Sequence, residues 1–509
     1  MSTEKRSFAD LNQKILSLGV TTYSELNESN LHEAQKKFYT YPEMTFPPLK
    51  HDAEKLTKLE NNFFMLGEME HEIAVSGCTE TERMILEKVR QRAMLANRHA
   101  LRILLCRSEI IGRPEKVSTA AIFDPAEWEK LCTLSVKEKV EYLQKLSQDY
   151  YGYQVDQNEL LGLLHDTLIR MSENKGNWTS NDQQYLAEIR SILDRHQLIS
   201  VWDDDPAWAE STYRPNPETL KKFGQLAGRK LSAVLEYVPE GAEDEVYSAD
   251  KVVAILNEMI EAGALGKTRF RAIVNPNSLI MSVAQEKRQI KIPLKRAKGD
   301  ITRAVFQTKT CGHEVGTHVM RGVPYEDTEL LSLSTGFLNY EGPEEGIATC
   351  VEQGLAEIFG HTVRDYAPID YYVNIGLADL YGLNFRELWI LRRNIIYLTE
   401  LSPDDGEDAM QRAMDNAYGQ IRRVFRGTGN IIEYKDLCYH VEEGRTWQFI
   451  DSYIDQPDEL WFTLMGLGKI NVNDPETLKI LQSIVWSDDF PAVRAQLTRE
   501  KALPHVFGK

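Results

Sequence analysis

Apolar positions recur every three or four residues through most of this chain, the spacing of helices that bury one face. The clearest run, Thr81 to Leu105, predicts a long helix within a helical region spanning about residues 51 to 215. Upstream, residues 1 to 50 carry a mixed helical pattern. It ends in Tyr39-Thr-Tyr-Pro-Glu-Met-Thr-Phe-Pro-Pro48, whose prolines and aromatics predict an extended strap lying on another surface. Val201 to Pro217 breaks all periodicity and predicts a linker, after which helical patterning resumes from Glu218 to Ala264.

The period then changes. Residues 268–275 and 278–284 alternate and are β-branched, a Pro-Asn turn separates them, and a third such run follows at 288–294, so a small antiparallel sheet is expected. A helix is predicted from near Asp300 to Gly322-Val-Pro324, and Pro343 with Glu344 and Glu345 makes a good first turn for a second one. Asp370 to Phe425 is helical again. Residues 422–440 form a glycine-broken segment with three arginines, and closing helices follow. The sum is a mainly α chain with a small antiparallel β-sheet, an α+β class, divided into 1–50, 51–215 and 216–509.

Charge narrows the partners. At a net −18 the chain is expected to repel nucleic acid, anionic membrane and the acidic surface of a microtubule. No apolar run resembles a signal peptide or a bilayer span, so a cytoplasmic protein is expected. The six cysteines are scattered without a CxxC pair and read as buried thiols. Cys311 and Cys350, near the stretch discussed next, are read as packing rather than ligation.

That stretch is Cys311-Gly-His-Glu-Val-Gly-Thr-His-Val-Met-Arg321. In a His-Glu-x-x-His helix the two imidazoles bind zinc and the glutamate serves as general base. Here His313 and His318 are five apart, which an ideal α-helix would splay by about 140°. They regain a common face only where the helix widens by one residue, a π-type bulge, and Gly316 between them suits such a distortion. Either the helix is bulged or these are not two ligands of one metal. A third ligand would be a carboxylate on the following helix, where Glu344 and Glu345 lie.

His-Glu-Val-Gly-Thr-His (313–318), Glu-Glu-Gly-Ile-Ala (344–348), Phe-Arg-Gly (425–427) and Tyr-Lys-Asp-Leu-Cys-Tyr (434–439), in this order, resemble the tyrosine carboxypeptidase family. That family includes microtubule-associated tyrosine carboxypeptidases and bacterial proteins named for a Gln-Glu-Gly-Leu-Ala motif. The resemblance is strong from about residue 268 to 470. It implies a zincin-like catalytic region, one zinc ion bound by His313, His318 and Glu345, and Glu314 activating water. Glu345 is preferred to Glu344 because the family's acid directly precedes the glycine. Glu352-Gln-Gly-Leu-Ala356 imitates the motif but has Gln before its glycine and is set aside as a decoy. Departures are Ile347 for Leu, Glu344 for Gln, and Gly-Val-Pro (322–324) in place of an Asn-Gly turn.

The implied activity is removal of a C-terminal residue, tyrosine or another aromatic, from a peptide or protein. Zinc would activate the water and polarise the scissile carbonyl, with Glu314 passing the water proton to the leaving amine. Arginine suits a free substrate carboxylate, which nominates Arg426 and then Arg423. Tyr439 or His440 is the candidate oxyanion donor. The alternatives are a zinc endopeptidase and a metal-binding regulatory protein without turnover; a purely structural site would have no use for Glu314.

Overall fold

The structure is a computed structural model that describes residues 7–19, 31–45, 47, 53–110, 125–203, 215–276, 280–294, 300–337, 339–361, 369–400, 408–426, 431–497 and 501–507. It is mainly helical with a small set of strands. The long predicted helix is Glu80–Ile110, and it packs against Ala53–Ala74. Among the described residues no helix is long and apolar enough to cross a membrane. Most of the expected linker, residues 204–214, lies outside the described residues.

Apolar clusters cross both expected boundaries. One joins Phe8, Leu66 and Leu86 to Leu333, Leu467 and Phe507; another joins Leu164 and Leu193 to Ile375, Leu391 and Phe425. The stretch expected as an extended strap instead ends the helix Leu31–Thr40 and turns over residues 41–45, with 46 and 48 outside the described residues, and a side chain from a later helix holds it. Arg386, on the helix Phe385–Glu400, donates to the carbonyls of Phe38 at 2.6 Å, Tyr41 at 3.0 Å and Met44 at 2.9 Å. Its guanidinium also lies 3.5 Å from the Phe38 ring centre, so a cation–π contact adds to three charge-assisted hydrogen bonds.

Among the described residues, five strands form two sheets. β1 (Val246–Tyr247) pairs antiparallel with β5 (Ile301–Thr302). β2 (Arg271–Asn275), β3 (Ser282–Ala284) and β4 (Gln289–Pro293) form a second sheet in the order β2-β4-β3. This corrects the expected all-antiparallel sheet: β3 and β4 are antiparallel, but β2 runs parallel to β4. The hairpin turn is the polar Gln285–Arg288 stretch, closed by Arg288 N–H donating to Gln285 O at 3.2 Å. Alternation marks each strand as half-buried, but it does not choose the neighbour.

β5 leads directly into the site. The Thr302 hydroxyl caps the next turn by accepting from Val305 N–H at 3.2 Å, and the chain then winds as a π-helix over Phe306–Val319, the site helix. Its wide turns are seen in Met320 N–H donating to Val315 O at 3.0 Å, five residues back. A Cβ on Gly316 would stand 2.7 Å from Cys311 O, so the widened turn leaves no room for a side chain there. The second predicted helix spans Glu341–Phe359 and lies between the site helix and a flanking helix, Cys438–Tyr453. Gly346 sits where these two helices touch: a Cβ there would stand 2.5 Å from Glu442 O. The glycine after Glu345 therefore sets how closely that glutamate's helix can pack.

Candidate metal centre

The π-helical spacing brings His313 and His318 onto one face, with ring centres 5.0 Å apart. Both point Nε2 at the same carboxylate oxygen, Oε2 of Glu345, at 3.5 Å from His313 and 3.6 Å from His318. These three side chains form a group whose ligand atoms all lie within 4.8 Å of one another. Donors roughly 2.0–2.1 Å from a tetrahedral zinc stand about 3.3–3.4 Å apart, so the two His–Glu separations fit a shared ion.

The opposite ring nitrogens are each held by a different acid. Nδ1 of His313 lies 3.0 Å from Oε2 of Glu352, and Nδ1 of His318 lies 3.1 Å from Oε2 of Glu344. A carboxylate at Nδ1 orients each ring so that Nε2 faces inward, where a bound cation would replace the hydrogen that nitrogen shares with Glu345. Lys309 Nζ lies 3.1 Å from His313 Nδ1 and donates to Glu352 at 3.2 Å. Glu344 Oε1 accepts from Lys469 Nζ at 2.6 Å and Arg321 at 3.2 Å.

The field here is negative enough to attract a cation. Burial works against a charged His318, but Glu344 and Glu345 outweigh it and raise its pKa to about 9. Burial likewise opposes ionisation of Glu344, but Lys469, His318 and Arg321 overcome it and hold that carboxyl at about 2. Burial opposes ionisation of Glu345 too, and hydrogen bonds with His313 and His318 carry it well below the usual carboxylate range.

Glu314 is only 4% exposed, and among the described residues no side chain pairs with it. Tyr439 donates to Glu345 Oε1 at 3.3 Å and accepts from Arg423 at 3.3 Å. The two nominated arginines are both engaged by Asp436. Arg423 grips it with two hydrogen bonds, at 2.7 and 2.8 Å, and Arg426, itself buried, donates to it at 3.0 and 3.1 Å. His440 is directed elsewhere, onto Glu159 at 2.8 Å. Cys311 and Cys350 are buried and outside the group of possible ligands.

Two acids at the site, with the cations Lys309, Arg321 and Lys469 that hold them, were not assigned a role there from sequence. Glu352, within the segment set aside as a decoy, holds His313. Glu344, expected to complement the helix dipole or to compete with Glu345, holds His318. A signal for Glu352 was present: it lies seven residues after Glu345, two turns along the same helix face. Comparison with protein-family models, with curated proteins and with solved structures finds no match for this chain.

Proposed function

We propose that this protein is a zinc-dependent carboxypeptidase of the tyrosine carboxypeptidase type, with one zinc ion held by His313, His318 and Glu345. The observation that carries this reading is the convergence of both Nε2 atoms on one Glu345 oxygen across a five-residue interval, which a π-helix alone brings onto one face. Three protein ligands leave a fourth position open, the pattern of catalytic rather than structural zinc. When bound, zinc supplies Lewis acidity and a water acidic enough to attack near neutral pH.

Glu314 immediately follows a ligand and is not committed to another described side chain, so it is free to take the water proton and deliver it to the leaving nitrogen. Tyr439, 3.3 Å from Glu345 Oε1, is placed to donate to the oxygen that gains charge as the carbonyl is attacked. β3 is the outer strand of its sheet and lies against the site helix, with Gln285 donating to His318 O at 2.9 Å. An extended peptide can pair along that edge. Asp436 engages both Arg423 and Arg426, so neither is assigned here to the substrate carboxylate.

The test is cleavage of a peptide library with free and amidated C-termini by zinc-loaded protein and its Glu314→Gln variant. We expect release of the last residue from free ends only, and a loss of about 10²- to 10⁴-fold in Glu314→Gln with zinc retained. Equal cleavage of amidated peptides would make the protein an endopeptidase. No cleavage at all would favour a regulatory metal protein.

A further inference from the structure

Glu344 has its carboxylate behind His318, and the charges around it come from two directions. Arg321 lies three residues beyond His318; Lys469 belongs to a loop far along the chain. Both are 0% exposed. The Lys469 backbone is pinned in turn: its N–H donates to Leu333 O and its carbonyl accepts from Phe337 N–H, each at 2.8 Å. Arg321 also donates to Ile470 O at 3.1 Å. Two cations and one anion in a dry interior are a poor device for stability, since desolvation offsets most of their attraction. The arrangement is better explained by what it does to His318.

We propose that Lys469 and Arg321 are positioning residues for the metal centre: they hold the Glu344 side chain against Nδ1 of His318, which fixes that ring's orientation and directs Nε2 toward Glu345. This inference rests on the zinc reading above. The His313 side is built differently, because Glu352 and Lys309 are 30% and 28% exposed and water can replace either. The His318 side therefore bears more of the metal affinity, and it depends on a loop that supplies no ligand.

The experiment is titration of the purified full-length protein with Co²⁺, read from its visible spectrum and by competition with a chelating dye. Glu344→Gln is expected to weaken Co²⁺ binding about 10- to 100-fold, Lys469→Met comparably, and Lys469→Arg much less; Glu352→Gln should lose less than Glu344→Gln. The double variant Glu344→Gln/Lys469→Met leaves the buried formal charge unchanged, so it remains informative if Lys469→Met alone does not fold. It should bind Co²⁺ weakly with an altered spectrum, while its metal-free Tm reports separately what leaving Arg321 without Glu344 costs. Parent-like affinity and spectrum in Glu344→Gln and in the double variant would overturn the inference alone. Absence of Co²⁺ binding by the parent, or binding that survives His318→Ala, would overturn the zinc reading and this inference with it.

Discussion

At the scale of single residues, a histidine makes a useful metal ligand when one ring nitrogen is held so that the other faces the ion. Separate acids, Glu352 and Glu344, hold Nδ1 of His313 and His318. Tyr439 donates its hydroxyl hydrogen to Glu345, the acid proposed as the third ligand. If its main work is to stabilise the oxyanion, Tyr439→Phe should lower kcat by about 10²-fold while zinc affinity, measured by chelator competition, changes little. The reverse outcome, weaker zinc with unchanged turnover, would make it a holder of Glu345 only. The pairing of the two histidines was legible because their spacing is unusual. The roles of Glu344 and Glu352 were hidden, because carboxylates near a helix start or on a helix face are common without any ligand to orient.

At the scale of elements, the centre depends on how closely two helices approach. Gly346 allows the helix Glu341–Phe359 to meet Cys438–Tyr453, and a Cβ would strike Glu442 O and, at 2.7 Å, Thr446 Oγ1. Gly346→Ala should therefore destabilise the fold by about 1–3 kcal/mol, seen as a lower Tm, and weaken zinc binding through displaced Glu345. An unchanged Tm would mean that the contact is easily relaxed. The widened helix could be argued from sequence because five residues and a glycine admit few geometries. Strand order could not, since β2, β3 and β4 have similar alternation and the parallel β2–β4 pairing joins strands that are not consecutive. The commitment of Arg423 and Arg426 to Asp436 was equally hidden, for a short run of charges does not say which are buried together.

At the scale of the whole molecule, the centre gathers segments distant in sequence: the site helix, the helix of Glu345, Tyr439 and the Lys469 loop. Zinc binding should therefore stabilise the fold against global unfolding by about 4 kcal/mol at a thousandfold excess over Kd, an effect reversed by a chelator and absent in His318→Ala. Asp436 contributes in a separate range. Burial opposes its charge, but Arg423 and Arg426 pull its pKa well below the usual value of about 3.9. Its stabilisation is thus fully present above about pH 4 and lost as pH falls through the lower folded value. Asp436→Asn should cost about 3–5 kcal/mol at neutral pH by removing the carboxylate to which Arg423 and the buried Arg426 both donate, and denaturant unfolding at pH 7 measures it. The most direct measurement of the central claim is an anomalous difference map from crystals of the zinc-loaded protein. The account predicts one peak bonded to Nε2 of His313, Nε2 of His318 and a carboxylate oxygen of Glu345, with Glu344 and Glu352 remaining on the Nδ1 atoms; zinc bound elsewhere, or no peak between these three side chains, would contradict it.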